Sequence, residues 1–375
     1  MRIVGVFGTG TQSRLFESFP KVPGMEIYGP APSAAQEFPS NLKNFKNVFH
    51  PMKSGWMHGN NFKNILNKRG GKIDVLITGF GGDMPKQLNA KYKVALAHGE
   101  IGKNIIDLVG TDLTIRGERN YWKGFDLICG GMGTTKKYIQ NDIGVNVKFL
   151  LNALPQYDLV YRNNNLKPNR KQVFRYLGRK YKETIMFVGF CCRTASWFLS
   201  NNEDYFKALR VMIDYAKANP DSLIITKTRK PAKAMEKFLQ RHSKEWGGWT
   251  KKYYGMIREC AKQPNIHWMD GKIPLYPYFF CDKIVINASS TLETEGVLAA
   301  KPVIVFKSKY CPLEDGFNTV KEGAVEFVRT GKELKHALYN YNKIDLEARD
   351  RWMKKAKLTF DGLHSQRIVD KLKSL

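Results

Sequence analysis

The stretch INASSTLETEGVLAAKPVIVF, residues 286–306, is apolar at both ends and carries hydroxyl and carboxyl groups in its middle. The apolar ends predict two buried strands, and the segment between them predicts a short helix that starts near Leu292. Three hydroxyls precede two carboxylates in that segment, on Ser289, Ser290, Thr291, Glu293 and Glu295. The order strand, turn, helix, strand is that of a βαβ unit and predicts a parallel sheet.

The same alternation of short apolar runs and amphipathic stretches continues along the chain and predicts two series of βα units. In the first series we predict strands at 2–8, 25–29, 74–80, 93–99, 112–117 and 126–131, and helices at 55–68, 104–109 and 134–142. In the second we predict strands at 184–190, 222–228, 265–270, 283–289 and 301–307, helices at 203–219 and 232–246, and a helical end of the chain.

A polar, basic segment that contains Pro168 separates the two series and predicts a connection between domains. The predicted organisation is an N-terminal Rossmann-like domain over 1–155, a basic linker over 156–183 and a C-terminal Rossmann-like domain over 184–375. Two such domains that face each other define a cleft, and ligands of open α/β sheets bind beyond the carboxyl ends of the strands.

Net charge is the unusual property of the composition. The 375 residues include 61 Lys and Arg but only 34 Asp and Glu, so the formal net charge is +27. Such an excess predicts an anionic partner: nucleic acid, an anionic membrane surface, or an anionic polymer or nucleotide substrate. The plain alternative is that many small cytosolic proteins are moderately basic.

Other features of the composition predict a cytoplasmic protein. The chain has no run of about 18 apolar residues, which argues against a membrane span. Its first ten residues, MRIVGVFGTG, predict a strand that enters a loop rather than a signal peptide. The six cysteines form no CxxC pair, which favours a reducing compartment and no structural metal.

The polar middle of 286–306 has two interpretations. Hydroxyls beside the amides of a helix start bind phosphate well, and a carboxylate near them suits the two hydroxyls of a ribose, so the segment is a candidate nucleoside-diphosphate site. Alternatively, Ser289 or Thr291 only caps the helix, while Glu293 and Glu295 complement its dipole. Local physical chemistry alone favours the second interpretation.

The segment also resembles the nucleotide-binding region of GT-B glycosyltransferases, and is most similar to the CDP-glycerol glycerophosphotransferases, the teichoic-acid polymerases. That family has a paired-hydroxyl turn, an acidic residue and Lys-Pro at the next strand. Here these are Ser290–Thr291, Glu295 and Lys301–Pro302. The family's acidic residue is usually Asp, whereas the related sugar-nucleotide 2-epimerases have Glu.

Three further segments resemble the same family: ALAHGEIGK at 95–103, TIMFVGFCCR at 184–193 and the ending DGLHSQRIVDKL. The resemblance covers residues 75–375 and implies a GT-B fold with a C-terminal helix that crosses back. Two motifs depart from the family. The Pro-Thr after the strand at 184–190 is absent, and the family's His-Pro after the strand at 222–228 is replaced by a run that ends in Arg229, Lys230 and Pro231.

The resemblance implies transfer from a nucleotide-activated donor, a UDP-sugar or a CDP-linked compound, to an acceptor hydroxyl, without a cofactor or a metal. His98 is the candidate base, and Glu100 orients it or replaces it. The candidate donor-binding residues are Arg193, Lys227, Arg229, Lys230, Ser289, Ser290, Thr291 and Glu295. The structural alternatives are a loop histidine with ordinary hydrogen bonds and a solvated basic turn.

The acceptor side is predicted from loops and charge. Glycine-containing loops follow two strands of the first series, at Gly8, Thr9, Gly10, Gly79 and Gly81; a lone GxG is a weak dinucleotide signal. Basic residues among aromatics are candidates for a polyanion, namely Arg170, Lys171, Arg175, Arg179, Lys251 and Lys252. The same residues suit an amphipathic helix on an anionic membrane, or solvated helix faces.

We therefore predict a GT-B enzyme that moves a sugar or a polyol phosphate to a polyanionic acceptor in the cytoplasm. Two alternatives stay open. One is a bacteriophage-type DNA glycosyltransferase that acts on hydroxymethylated bases in the host cytoplasm. The other is a non-catalytic, basic nucleic-acid-binding protein on the same scaffold.

Overall fold

The structure is a computed structural model that describes residues 1–7, 15–20, 22–30, 48–52, 72–79, 88–97, 119–120, 122–165, 174–175, 177–189, 196–227, 249–268, 281–287, 291–308 and 317–374. The strand predicted at 112–117 and the helices predicted at 55–68, 104–109 and 232–246 lie outside these ranges. None of the described helices is long and apolar enough to span a lipid bilayer.

The chain forms two compact units. Unit 1 comprises Met1–Arg162 and Met353–Leu375, and unit 2 comprises Asn163–Trp352. These bounds differ from the predicted domains, because residues 353–375 pack within unit 1 instead of continuing the second domain. The predicted return of the terminal helix to the first part of the chain is thus confirmed.

Unit 1 contains a seven-stranded, all-parallel sheet with the order β3-β2-β1-β4-β5-β6-β7. Its strands are β1 (Ile3–Val6), β2 (Met25–Pro30), β3 (Val48–Met52), β4 (Ile73–Thr78), β5 (Ala90–Leu96), β6 (Leu127–Cys129) and β7 (Lys148–Leu150). The central strands are buried, as the apolar runs predict. The doubly wound order places β1 and β4 side by side at the centre, where the direction of winding changes.

Among the described residues of unit 1, two helices lie in the stretch that leads to the boundary with unit 2. Helix α1 (Gly133–Lys137) continues into a π-helical turn (Tyr138–Asp142), which confirms the helix predicted at 134–142. Helix α2 (Pro155–Asn165) lies where we predicted the start of a linker, and the boundary between the units falls within it.

A buried carboxylate anchors the C-terminal residues in unit 1. Asp158 of α2 is fully buried and accepts hydrogen bonds from the backbone amides of His364 (2.8 Å) and Ser365 (2.6 Å). These residues open helix α8 (His364–Lys373), so Asp158 caps that helix from 206 residues away in the chain. His364 is buried between the Leu154 amide (3.2 Å) and the Thr359 carbonyl (2.7 Å), and burial lowers the pKa of its imidazole.

The segment before α8 forms a tight turn. Gly362 adopts a φ of +75°, and a Cβ there would come within 2.5 Å of the Tyr161 ring. Asp361 receives two hydrogen bonds from the Arg367 guanidinium, at 3.0 and 2.5 Å, and these bonds lower the pKa of Asp361. The ending DGLHSQRIVDKL therefore has a structural role, because it fixes the last helix in unit 1.

Unit 2 contains a six-stranded, all-parallel sheet with the order β10-β9-β8-β11-β12-β13. Its strands are β8 (Glu183–Val188), β9 (Ser222–Lys227), β10 (Ile266–Trp268), β11 (Lys283–Ile286), β12 (Val303–Phe306) and β13 (Glu326–Val328). Its described helices are α3 (Ser196–Ala218), α4 (Trp249–Lys262), α5 (Thr291–Leu298), α6 (Gly331–Asn340) and α7 (Leu346–Lys355), the last of which crosses into unit 1. The α/β class with two Rossmann-like sheets is confirmed.

The amino edge of the second sheet holds an ion pair between a buried lysine and a partly exposed glutamate. Lys283 at the start of β11 is 2% exposed, and its Nζ donates to the Leu338 carbonyl (2.5 Å) and to Asn342 Oδ1 (2.8 Å). It also lies 3.2 Å from a carboxylate oxygen of Glu183, whose other oxygen accepts from the Ser222 hydroxyl (3.0 Å). Three strands and the last helical turn of α6 are thereby tied together, which gives this edge a structural role.

Candidate functional site

The carboxyl edge of the second sheet has the features of a ligand site. The sheet winds in opposite directions from β8 and β11, which pair in register with Val188 opposite Ile286. Ligands of doubly wound sheets bind beyond the carboxyl ends of strands at this switch point. Gly189 leaves β8 against the Tyr205 ring, where a Cβ would come within 2.2 Å of a ring carbon, so only glycine fits. Asn287 follows β11 directly, and its backbone amide donates a hydrogen bond to the Val188 carbonyl (3.3 Å).

Helix α5 begins beside this switch point. Its first residue is Thr291, four residues after Asn287, and the side chains of residues 292–298 are buried. Gly296 allows the helix to lie against the sheet, because a Cβ there would be 2.8 Å from Val303 Cγ2 and 2.9 Å from Ile284 Cδ1. The sequence 286–306 thus forms the βαβ unit that its pattern predicts, with the helix start at the carboxyl edge.

The two carboxylates of α5 are both buried but occupy different faces. Glu293 is 1% exposed and Glu295 is 5% exposed. Residues two apart in a helix are separated by about 200°, so their side chains cannot share a direction. Glu293 accepts a hydrogen bond from the buried Thr319 hydroxyl, which gives it a structural contact in the loop before β13. Glu295, in the second turn of the helix, remains the candidate hydrogen-bond acceptor for a ribose.

Of the other predicted donor residues, Lys227 is described at the same edge. Lys227 is the last residue of β9, and its backbone pairs with Val188 next to the switch point. The structure does not describe its side chain. Outside the described residues are Arg193, Arg229, Lys230, Ser289 and Ser290.

The predicted acceptor loops leave the corresponding edge of the first sheet. Gly79 follows β4 and donates its amide to the Val6 carbonyl of β1 (2.9 Å), so it lies at the switch point of that sheet. Ala97, the residue after β5, donates its backbone amide to the Cys129 carbonyl (2.8 Å), and His98 and Glu100 follow it in sequence. Outside the described residues are Gly8, Thr9, Gly10, Gly81, His98 and Glu100.

Among the predicted polyanion residues, Arg179 has structural partners in the described part of the chain. Arg179 donates to the Pro220 carbonyl (3.0 Å), lies 3.7 Å from Asp221 and stacks over Tyr181. The pKa of Asp221 is lowered, mainly by its hydrogen bond with Lys182. Arg175 is exposed. Lys251 and Lys252 lie in α4 with undescribed side chains, and Arg170 and Lys171 are outside the described residues.

Three contacts near α5 were not predicted. Arg349 Nη2 donates to the Leu298 carbonyl at the end of α5 (3.1 Å), Trp352 Nε1 donates to the Phe317 carbonyl (2.8 Å), and Thr319 bonds to Glu293 as described. Their only sequence signal is a tryptophan within the helical pattern of α7, since the partners lie 26 to 51 residues apart. In the part of the chain that the structure describes, no three His, Cys, Asp or Glu residues form a group that could hold a metal ion.

Comparisons with known proteins relate the fold to that of nucleotide-dependent enzymes. No family model matches the sequence, and no curated protein matches it. Among solved structures, wall teichoic acid polymerase TagF, soaked with CDP-glycerol, matches with a TM-score of 0.64 at 11% identity, over 100% of this chain and 88% of that chain.

Two further solved structures match similarly. MnaA of S. aureus, solved with UDP, has a TM-score of 0.60 at 11% identity, over 100% of this chain and 96% of that one. UDP-GlcNAc 2-epimerase from Neisseria meningitidis, bound to UDP-GlcNAc, has a TM-score of 0.56 at 12% identity over the whole of both chains. The predicted GT-B fold is therefore confirmed.

Proposed function

We propose that the protein is a GT-B transferase that moves a sugar or a polyol phosphate from a nucleotide-activated donor to an acceptor hydroxyl. The observation that carries the proposal is the buried carboxylate of Glu295 in a helix that starts at the switch point of the second sheet. The similar solved structures with UDP, UDP-GlcNAc or CDP-glycerol support a nucleotide donor.

In this proposal the donor nucleotide binds along the carboxyl edge of the second sheet. The ribose diol donates two hydrogen bonds to Glu295, and a carboxylate that is already removed from water forms such bonds strongly. The diphosphate lies near the start of α5, where Ser289, Ser290 and Thr291 supply hydroxyls and the helix supplies amides. Repulsion between phosphate and carboxylate is reduced because Glu295 lies about one helical turn beyond the phosphate-binding end.

The reaction step is a displacement at the transferred group. His98 accepts the proton of the acceptor hydroxyl, and the acceptor oxygen forms a bond to the anomeric carbon of the sugar, or to the phosphorus of a polyol phosphate. The bond to the leaving phosphate oxygen breaks, and its electron pair stays on the nucleotide. Lys227, Arg229 and Lys230 stabilise the charge that develops there, and Glu100 orients His98.

Calorimetric titration with UDP-, CDP- and GDP-linked donors tests the donor site. We expect one nucleotide class to bind, and Glu295→Gln to weaken it by about 10- to 150-fold, since bonds to a charged acceptor contribute about 1.5–3 kcal/mol. Glu347→Gln is the matched control, because Glu347 is 93% exposed on α7. Absence of binding by every donor, or equal binding by both variants, would contradict the proposal.

The charge of +27 supports a polyanionic acceptor, either DNA with hydroxymethylated bases or an anionic glycan. If the acceptor is DNA, binding of a duplex weakens steeply as salt rises, and negligible binding at low salt favours the glycan. If the parent transfers the group and His98→Ala does not, the protein is an enzyme and the alternative of a non-catalytic nucleic-acid-binding protein is excluded. Because the proposed step uses no metal, we expect EDTA to leave the transfer rate unchanged.

A further inference from the structure

Both ends of helix α5 accept hydrogen bonds from side chains of residues 317–352. At its first turn, Glu293 accepts the hydrogen bond from Thr319, and both side chains are at most 1% exposed. At its last turn, the Leu298 carbonyl accepts from Arg349 at 3.1 Å. A guanidinium at the carboxyl end of a helix also complements the helix dipole.

The loop that carries Thr319 is fixed in turn by α7. Trp352 is fully buried, and its indole Nε1 donates to the Phe317 carbonyl at 2.8 Å. Asn318, between Phe317 and Thr319, has a φ of +57°, a conformation that turns the chain sharply. The position of the Thr319 hydroxyl therefore depends on the bond from Trp352.

A helix of eight residues needs such external contacts. Two helical turns are too short to be stable alone in water, so the orientation of α5 is set by what it packs against. The sheet supports one face of the helix at Gly296, where the packing leaves no space for a methyl group. The contacts from Thr319 and Arg349 restrain α5 against rotation on that face, which is the motion that would redirect Glu295.

We propose that Thr319, Arg349 and Trp352 are positioning residues of the donor site, which fix the rotation of α5 so that Glu295 and the helix start meet the nucleotide together. The inference rests on the proposed function. None of the three side chains contacts the nucleotide itself; they act through Glu293, the Leu298 carbonyl and the Phe317 carbonyl.

The test is the affinity for UDP and CDP, measured by calorimetry together with the melting temperature. Thr319→Val keeps the shape of the side chain but removes the hydroxyl, and we expect affinity to fall at least fivefold. Thr319→Ser restores the hydroxyl and should bind within twofold of the parent. Ser222→Ala is the matched control, because it also removes a hydroxyl–carboxylate bond but at the amino edge of the same sheet.

Ser222→Ala should lower the melting temperature while affinity stays within twofold of the parent. A purely structural role for Thr319 predicts that affinity follows the melting temperature equally in both variants, and that result overturns the inference. If Thr319→Val does not fold, Arg349→Met decides: it should weaken binding at least threefold, whereas Arg351→Met, exposed on the same helix, should not. Equal affinities of these two variants likewise overturn the inference.

The same titrations distinguish failure of the inference from failure of the proposed function. If the parent binds neither UDP nor CDP, the proposed function fails and the inference fails with it. If the parent binds and Thr319→Val binds equally well, only the inference fails.

Discussion

Asp158 is the buried group that holds the start of α8 in unit 1, so Asp158→Asn should release that helix. The carboxylate accepts from two backbone amides, at 2.8 and 2.6 Å, and is fully buried. Asparagine can offer one oxygen, but its NH₂ group would then face the second amide, donor against donor. Loss of a charge-assisted bond costs about 1.5–3 kcal/mol and loss of a helix cap about 0.5–2 kcal/mol. These are overlapping descriptions of one interaction, so we expect about 2–3 kcal/mol in total.

Hydrogen–deuterium exchange of the peptide 364–373 measures this effect directly, because local opening of a helix sets the exchange of its amides. A loss of about 2–3 kcal/mol predicts protection lower by about 30- to 150-fold. Asp370→Asn is the matched control, since Asp370 is exposed near the other end of α8, and its protection should stay within about twofold. If both variants exchange alike, the carboxylate of Asp158 does not anchor the helix and the reasoning is refuted.

Four further predictions concern other parts of the molecule. Burial lowers the pKa of His364, so the free energy of unfolding is highest at pH values above the ordinary histidine pKa near 6.5 and decreases by up to about 1.4 kcal/mol per pH unit as the pH falls below it. His364→Gln should remove this pH dependence, measured by urea denaturation between pH 7 and pH 5. Lys283→Met leaves the partly exposed Glu183 without its ammonium partner and should cost about 1–3 kcal/mol in the same urea-denaturation assay; no measurable cost would show that the pair is dispensable. Gly296→Val should cost about 1–3 kcal/mol and also weaken nucleotide binding, and normal values for both would contradict the close packing of α5. Ala300 has a φ of +53° after α5, so Ala300→Gly should leave the melting temperature equal or higher; a clear decrease would argue against the left-handed conformation.

The central strands of both sheets were predictable because they are short, apolar and buried on both faces. The strands that were missed, β3, β7 and β13, all lie at sheet edges. β7 and β13 have three residues each, and most of these side chains are exposed or partly exposed; β3 contains Pro51. Proline is tolerated in an edge strand but is a signal against a central one, so local pattern argued against β3.

The candidate donor site was predictable only in part. The order of strand, turn and helix in 286–306 follows from local sequence, so the start of α5 after β11 was predictable, whereas the role of Glu295 stays a prediction. The role of Glu293 was not predictable, since its partner Thr319 lies 26 residues away in a loop without a repeating pattern. For the same reason the bond between Asp158 and His364, across 206 residues, left no local signal, and the predicted domain bounds differed from the compact units at the C-terminus.

Unit 1 is discontinuous in sequence, and this has a consequence for biosynthesis. Residues 353–375 belong to unit 1 but are translated after all of residues 163–352. On the ribosome, unit 2 is therefore complete while His364 and Ser365 have not yet been made. Until they emerge, the carboxylate of Asp158 lacks both backbone amides that it accepts from in the finished fold, so unit 1 can complete its packing only after unit 2 has been synthesised.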